Sequence, residues 1–454
     1  MIRFSASALV LGGILLAPAA ASALEPSGAL EIHYINPTTQ AGVTLVIGPD
    51  GTTVLMDAGK AGDFIPDYLA AIGLDPAVDH LDYTIAGHLD ADHIRGFKDV
   101  IGEATDTTKY NVPSSGENYF NGSTKSDTQT IADYKAAVAA TDAGKDQIPE
   151  GPVAVPLDTV ISLGDGATLQ VVAVNGAITG GTVVPVSNEN DRSIAVVIRY
   201  GDFDFVWASD LGGGSDPDCT ARAGISSANV EEPLAEAITL GGANPLLPAD
   251  GVDVLHVSHH GAANSTNCHW MALLRPEVAV MQTGNADGNP EPVVVDDILR
   301  VGAAGPGCTC LDGVFPALVL QTDEGDFDGG ASTTGYVVGD LVISTDGTHY
   351  WLDATGAVRS GSPDERSAAG LPAAVVVDDL APGCPMEQVL PAGVVTTAES
   401  WKAKHRILTD GTFTVGAGGD VLLEAGTRVE LSDGFTVESG GSLTVAVTPL
   451  TDCS

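Results

Sequence analysis

The chain has 454 residues, with 60 Asp and Glu against 19 Lys and Arg, which gives a formal net charge of −41. Hydrophobic residues make up 44% of it, enough for a sizeable core and too many for a disordered protein. The charge disfavours a protein that holds nucleic acid across a broad basic face, and equally a polybasic membrane-surface binder. A local basic site, or metal ions that supply positive charge, would be compatible with it.

The first 23 residues have the features of a secretory signal peptide. Arg3 gives a positive start, residues 6–16 are apolar, and residues 21–23 read Ala-Ser-Ala. A membrane anchor is the alternative, but the apolar run is shorter than the ~20 residues that span a bilayer. We therefore expect an exported protein (periplasmic, cell-surface or extracellular) whose mature chain begins at Leu24 and contains no membrane span.

The cysteines fit an oxidising compartment. There are six of them: Cys219, Cys268, Cys308, Cys310, Cys384 and Cys453. Fifteen pairings are possible, and the sequence does not choose among them. A zinc knuckle is disfavoured because Cys308-Thr-Cys310 has no second pair of matching spacing. Some disulfides are expected instead.

Strands and helices alternate along most of the chain. Residues 29–59 are typical of a run of short strands, and the polar residues 105–190 of an insertion or lid with one helix. The other predicted strands cover residues 81–86, 168–174, 193–200, 203–208, 252–257 and 278–281, and the predicted helices cover 64–72, 131–140, 232–238 and 294–301. The alternation predicts a layered α/β domain over residues 24–357.

The C-terminal part differs in character. Residues 358–372 form a polar linker, and residues 373–454 carry short β-runs closed by glycines at 426, 434 and 440. Short strands at a near-regular interval predict a small solenoid-like β module. Its sequence has no cluster of residues suited to catalysis or metal binding. We therefore expect a structural or attachment role, such as binding a surface or a partner.

The most informative string is His88-Leu89-Asp90-Ala91-Asp92-His93, which follows the predicted strand 81–86. Four potential ligands in six residues, where a strand enters a loop, can converge on metal from one turn. Imidazole with carboxylate suits zinc, manganese or iron. The alternative is a charged surface loop with two incidental histidines, which is disfavoured because the whole chain has only ten histidines.

Two further strand ends carry ligand-type residues. Asp210 follows an apolar strand, and His259-His260-Gly261 follows another. Alone, Asp210 would more often be a helix cap or turn residue. His256 lies inside its strand pattern and is expected to be a packed or edge residue. Three strands that end in such residues can assemble a dinuclear site at one edge of an α/β sandwich.

In this order, Asp57-Ala-Gly, the 88–93 string, Asp210 and His259-His260-Gly resemble the metallo-β-lactamase fold. Within it, the chain is most similar to the hydrolase domain of the DNA-internalisation competence protein ComEC and its secreted relatives. Most members read His-x-His-x-Asp-His, and the replacement by Asp90 is typical of that subgroup. The resemblance covers residues 29–355 and implies a four-layer αββα sandwich. The family's loop ending in His-Pro reads Asn289-Pro290 here.

The resemblance also implies two divalent metal ions, zinc or manganese. It implies ligands at seven positions: His88, Asp90, Asp92, His93, Asp210, His259 and His260. His88 and Asp90 would hold the first ion, Asp92 and His93 the second, and Asp210 would bridge them. One of His259 and His260 would complete the second site, which leaves the other to contact substrate or carry a proton.

Other roles follow from the same resemblance. Asp92, His260 and Asn289 are expected to be catalytic. The usual third histidine of the first site has no counterpart, because no histidine lies between 94 and 255. Asn190, Asp191 or water can take its place, and that favours oxygen-rich ligation. Asp57 is expected either to orient a ligand or to serve as a turn residue before Gly59.

These expectations define three functional classes. A metal-dependent phosphoester hydrolase (phosphodiesterase or nuclease-like), using a metal-bridging hydroxide, is preferred. A metal-dependent esterase, lactonase or amidase on the same residues is the first alternative, and a metal-binding scaffold without turnover is the second. The charge favours a small or single-ended phosphoester over extended nucleic acid.

Overall fold

The computed structural model of the chain describes most of residues 27–447. The residues of that range outside the description are 38, 61, 63, 142–150, 217, 220–224, 250, 285–287, 301–307, 312–313, 315, 326–334, 356–374, 377–386, 391, 404–405, 410–411, 426–427 and 433. The predicted signal peptide (1–23), the predicted linker (358–372), Cys384 and Cys453 therefore lie outside the described residues.

The larger part of the chain contains eighteen strands and six α-helices among the described residues. The strands are β1 (Leu30–Tyr34), β2 (Thr44–Ile47), β3 (Thr53–Met56), β4 (Tyr83–Ala86), β5 (Glu117–Phe120), β6 (Val153–Ala154), β7 (Val160–Gly164), β8 (Ala167–Val174), β9 (Ala177–Ile178), β10 (Ala195–Tyr200), β11 (Phe203–Trp207), β12 (Val254–His256), β13 (Val278–Met281), β14 (Leu318–Gln321), β15 (Tyr336–Val337), β16 (Leu341–Thr345), β17 (His349–Ala354) and β18 (Val375–Val376). The helices are α1 (Phe64–Ala71), α2 (Ala91–Ile94), α3 (Phe97–Val100), α4 (Gln129–Thr141), α5 (Glu231–Ile238) and α6 (Cys268–Leu274), with a π-helix at Val293–Leu299 and 3₁₀ turns at Thr179–Gly181, Asn190–Arg192, Ser258–Gly261 and Thr309–Leu311.

Two mixed sheets organise these elements. The first has the order β18-β17-β16-β1-β2-β3-β4-β5-β6, antiparallel as far as β3 and parallel from β3 to β6. The second has the order β15-β14-β13-β12-β11-β10-β8-β7, and β9 pairs with β8. In it the strands from β11 to β15 are parallel. Each sheet therefore has parallel strands whose carboxyl ends lie at one edge.

The sheets pack face to face with helices outside. On β3, Val54 and Met56 join the core between the sheets, while Leu55 joins the outer core under α1, α3 and α4. On β11, Phe205 faces the inner core and Val206 the outer core under α5 and α6. This alternation is the period-two pattern of strands that are buried on both faces. The predicted αββα sandwich is confirmed.

Residues 105–190 belong to the sandwich, contrary to the prediction. The sequence suggested an insertion or lid, but β5 and β6 extend the first sheet, and β7 and β8 lie in the second. The helix α4 packs on α2 and α3 through Tyr134, which contacts Phe97. The strand β8 pairs with β10 and buries its alternating apolar side chains, which holds this segment in the core.

The C-terminal part forms a parallel β-solenoid, as predicted. Its strands are β19 (Glu387–Leu390), β20 (Gly393–Val395), β21 (Ala398–Ala403), β22 (Arg406–Thr409), β23 (Phe413–Val415), β24 (Asp420–Ala425), β25 (Arg428–Glu430), β26 (Thr436–Val437) and β27 (Ser442–Val447). They stack as three parallel sheets, with β21 on β24 and β24 on β27. The expected start at residue 373 is too early for this module, because β18 pairs with β17 in the first sheet.

Two disulfides tie the loop before α5 and the start of α6 to the segment before β14. Cys219 is bonded to Cys308, and Cys268 to Cys310. Within the described part of the chain, no helix has the length and hydropathy needed to cross a membrane.

Candidate metal centre

Strand ends from both sheets deliver the predicted ligand residues to one place. Asp57 follows β3, His88 follows β4, and Asp90 precedes α2. In the facing sheet, Asp210 follows β11, and the 3₁₀ turn Ser258–Gly261 follows β12. Because β3 and β4 are parallel neighbours, as are β11 and β12, their carboxyl ends open on the same edge of the sandwich.

Four side chains form a compact cluster, which we name the four-donor set. Its members are Asp92, His93, Asp210 and His260, and one ligand atom from each lies within 4.8 Å of the others. Nε2 of His93 is 3.2 Å from Oδ2 of Asp210, and Nε2 of His260 is 3.7 Å from Oδ1 of Asp210. Nε2 of His260 is also 3.7 Å from Oδ2 of Asp92. Two imidazoles and two carboxylates match the donor chemistry of zinc, manganese or iron.

The orientation of the two imidazoles fits a cation. Nδ1 of His93 lies 2.6 Å from Oδ2 of Asp57, and Nδ1 of His260 donates to the backbone carbonyl of Gln282 at 2.8 Å. Each ring therefore directs Nε2 into the cluster, where both Nε2 atoms are buried without a hydrogen-bond partner. An unpartnered buried nitrogen is costly unless it coordinates an ion, and carboxylate-bound or carbonyl-bound histidines are typical metal ligands.

The backbone is strained where it presents these residues. Asp57, Ser209, His259 and His260 all have positive φ, between 46° and 58°. Non-glycine residues in this region cost about 1–3 kcal/mol each and persist where surrounding structure enforces them. The strain places the Asp57 carboxylate between two partners, since its Oδ1 accepts a hydrogen bond from the Gly87 amide at 2.7 Å.

The electrostatics of the cluster favour positive charge. Burial alone would raise the pKa of Asp210, but His93, His259, His260 and His88 outweigh it and hold that pKa well below its ordinary value. Burial likewise lowers the pKa of His93, but Asp210, Asp57 and Asp92 reverse the direction and raise it. The carboxylates thus require protons on the imidazoles or a cation in their place.

Three more predicted ligands, His88, Asp90 and His259, lie beside the four-donor set, and we name them the outer donors. Nε2 of His88 lies 3.7 Å from Oδ2 of Asp210, and Nε2 of His259 lies 3.6 Å from the same atom. Oδ2 of Asp90 is 3.5 Å from Nε2 of His88. Burial would raise the pKa of Asp90, but His88 and Lys125 lower it to about 2.

The outer donors have other partners as well. The ammonium of Lys125 contacts Oδ1 of Asp90. The amide Nδ2 of Asn190, which the sequence suggested as a substitute ligand, lies 3.0 Å from Nε2 of His259. Asp191 is not at the centre: its Oδ2 accepts a hydrogen bond from the Ala228 amide.

Asn289 lies in a loop that packs on the turn of His259 and His260. The Asn289–Pro290 peptide is cis, and the amide of Glu291 donates to the carbonyl of Gly261, so the loop packs on the turn that carries His259 and His260. In the described part of the chain, the Asn289 side chain makes no hydrogen bond to the ligands, and its catalytic role stays a prediction. His256 is buried and stacks on Tyr34, 5.7 Å between ring centroids, as expected for a packed residue.

Four contributors were not identified as site residues from the sequence. Lys125, Ser209, Gln282 and Glu189 all contact the ligands or the segments that carry them. Ser209 donates to Asp57 at 3.1 Å, and Gln282 acts through its backbone carbonyl. Ser209, next to Asp210, and Glu189, next to Asn190, stand beside predicted site residues. Lys125 and Gln282 are joined to the site by the fold.

Comparisons with known proteins give weak similarities. No family model and no curated protein matches the chain. Solved structures similar to it include the metallo-β-lactamase fold protein YhfI from Bacillus subtilis, with 14% identity over 70% of this chain and 99% of that one at a TM-score of 0.35. Others are CmlA, a diiron β-hydroxylase from Streptomyces venezuelae (13%, 61% and 52%, TM-score 0.33), and Zn²⁺-bound PqqB from Methylobacterium extorquens (14%, 61% and 86%, TM-score 0.33).

The match to CmlA spans about half of that protein's length, 52%. At such TM-scores, shared activity does not follow from the similarity.

Proposed function

We propose that this chain is an exported metal-dependent hydrolase that acts on phosphoesters. The observation that carries the proposal is the four-donor set, in which two imidazoles held by Asp57 and the Gln282 carbonyl direct unpartnered Nε2 atoms at Asp92 and Asp210. A divalent ion bound there lowers the pKa of a water molecule and stabilises negative charge that develops on an attacked oxygen.

Asp57 and Gln282 fix where the imidazole protons lie, and His259 transfers a proton. Asp57 keeps the Nδ1 proton of His93 away from the cluster, and the Gln282 carbonyl does the same for His260. His260 thus belongs with the ligands, which leaves His259 as the proton carrier. The His259 side chain retains 19% exposure, whereas His260 retains 3%, so His259 borders the open side where a leaving group would depart.

Phosphoesters are preferred over carboxylic esters for two reasons. Two carboxylates in the four-donor set, and Asp90 beside it, make the ligation oxygen-rich, which suits ions that bind phosphate oxygens. The proposal also retains the resemblance to the ComEC-type hydrolase domain. The net charge of −41 then favours a small or single-ended phosphoester over extended DNA.

Export is part of the proposal. Its support is the signal-peptide pattern in residues 1–23, together with the Cys219–Cys308 and Cys268–Cys310 disulfides. Stable disulfides are typical of exported proteins and rare in a reducing cytosol. The solenoid that begins at Glu387 would then serve as an attachment module outside the cell.

A substrate panel tests the reaction class. The purified protein is loaded with zinc or manganese and assayed on bis-nitrophenyl phosphate, single-stranded DNA, phosphorylcholine esters and lactones. We expect phosphodiester or phosphomonoester hydrolysis that a chelator abolishes and added metal restores. Hydrolysis of lactones alone would establish the esterase alternative, and metal binding without any turnover would establish the scaffold.

A further inference from the structure

Lys125 brings a positive charge to the outer donors. Its ammonium contacts Oδ1 of Asp90, and both side chains are about one-third exposed, 33% each. The other oxygen of Asp90 faces Nε2 of His88. The ammonium therefore lies on the carboxylate that the first metal ion of a two-ion centre would need.

Glu189 holds Lys125 in this position. One Glu189 carboxylate oxygen accepts from the backbone amide of Leu89 at 3.0 Å and from Nδ2 of Asn121 at 3.0 Å, and the other accepts from Oγ of Ser123 at 2.6 Å. The Lys125 amide in turn donates to Oγ of Ser123 at 3.1 Å. Leu89 separates His88 from Asp90, so a single carboxylate ties the ligand string to the loop that carries the lysine.

The opposite outer donor is also engaged. Nε2 of His259, the atom nearest to Asp210, has Nδ2 of Asn190 at 3.0 Å. Asn190 directly follows Glu189 in the chain. The segment that anchors Lys125 therefore also places a donor on His259. Among the outer donors, Nε2 of His88 is buried without a hydrogen-bond partner, like Nε2 of His93 and of His260.

We propose that the centre holds one divalent ion, in the four-donor set, and that the Lys125 ammonium takes the place of the ion expected at His88 and Asp90. This inference rests on the proposed function for the ion in the four-donor set. A second cation at the outer donors would have to displace the ammonium from Asp90 and the Asn190 amide from His259. A lysine ammonium is a compact charge that can also face an anionic substrate oxygen, so the site retains two positive centres with a single metal.

Metal stoichiometry tests the proposal without reference to turnover. Wild type, Lys125→Met and Lys125→Arg are equilibrated with excess Mn²⁺, desalted, and analysed for manganese per chain by plasma mass spectrometry. We expect one ion in wild type, two in Lys125→Met and one in Lys125→Arg, which keeps the charge. Lys135→Met is the matched control, because Lys135 pairs with Asp127 on the surface, and it should retain one ion.

Electron paramagnetic resonance of the same samples supplies a second readout. Wild type should give the signal of an isolated Mn²⁺ ion, and Lys125→Met the signal of a spin-coupled pair. Lys125→Gln repeats both measurements if Lys125→Met does not fold. Two ions in wild type would overturn the inference, and so would a single ion in both neutral variants. No ion in wild type would instead overturn the proposed function.

Discussion

His93 shows how one side chain is prepared for a metal ion. Its ring has two nitrogens, and the Asp57 carboxylate 2.6 Å from Nδ1 requires the proton there. Nε2 is then left with a lone pair that points at Asp210. Ser209 supports the arrangement by donating to the same Asp57 oxygen at 3.1 Å. The tautomer of the ligand is thus set by a residue that does not bind the ion itself.

Asp57→Asn tests this role. The Asn oxygen would keep the Gly87 amide bond, so its NH₂ group would face His93 and force the proton onto Nε2. We expect metal affinity to fall by about 10–100-fold, measured by titrating the ion-free protein in the presence of a competing chromophoric chelator. Asp165→Asn, at an exposed turn with a similar φ of 48°, is the control. Equal affinities in Asp57→Asn and wild type would refute the role.

Only some of the individual site residues could be predicted from the sequence. The ligand string 88–93, Asp210 and the His259-His260 pair stand at strand ends, and a local pattern reveals them. Lys125 comes from a Ser- and Thr-rich segment with no pattern of its own, and its contact with Asp90 depends on the pairing of β4 with β5. Gln282 acts through its backbone, which every residue has. Such partners are set by tertiary structure and leave no local signal.

At the scale of the elements, Asp82 joins β3 to the beginning of β4 and forms an ion pair with His80. Oδ2 of Asp82 accepts from the Thr53 amide at 2.9 Å, and Oδ1 lies 3.2 Å from Nε2 of His80. The hydrogen bond to Asp82 raises the pKa of His80 above its ordinary 6.5. Burial would raise the pKa of Asp82, but His80 and Thr53 bring it below 3.8.

His80→Gln tests the contribution of this pair. The stability that protonated His80 contributes is fully present below about pH 6.5 and is lost as pH rises through its raised pKa. The stability that ionised Asp82 contributes is lost only as pH falls through its lowered pKa. We expect the variant to be less stable by about 0.5–1 kcal/mol near pH 5.5 and by less near pH 9. Thermal melts of wild type and His80→Gln at both pH values measure the difference in stability. The titration of the metal ligands affects both proteins equally and cancels in that difference. The same deficit at both pH values would refute the assignment.

Strands with strong alternation were predicted well, and short or nonlocal ones were not. The runs 29–59 and 193–208 became β1–β3, β10 and β11 within a few residues. The two-residue strand β6 pairs in parallel with β5 across α4, and no local pattern marks it. The helix α6 was missed because Asn267 caps it from a polar loop, accepting from the Trp270 amide. The weak local signal of β6 is one reason why residues 105–190 were predicted to be an insertion.

At the scale of the whole molecule, the disulfides bear on the compartment. The disulfides Cys219–Cys308 and Cys268–Cys310 form readily only if the chain leaves the cytosol. We predict that the exported protein begins at Leu24. Intact-mass measurement and N-terminal sequencing of protein collected outside the cytosol should give that residue. A retained N-terminus in membranes would support the anchor instead.

The layered α/β class could be predicted from sequence because strands and helices alternate, and the solenoid because its glycines close short β-runs. The αββα arrangement was implied by the resemblance to the metallo-β-lactamase fold. The number of ions could not, because it depends on whether Lys125 and Asn190 already engage Asp90 and His259. The charge of −41 likewise overstates the field at the centre, where bound metal would offset Asp92 and Asp210.

The most direct test of the account is Asp210→Asn, because both Asp210 oxygens face the other members of the four-donor set. Bound metal and phosphoester hydrolysis are measured on the same samples of wild type, Asp210→Asn and the Asp165→Asn control. We predict that Asp210→Asn loses its ion, with affinity lower by more than about 100-fold, and loses hydrolysis with it, while the control matches wild type. Unchanged metal content and an unchanged rate in Asp210→Asn would contradict the account.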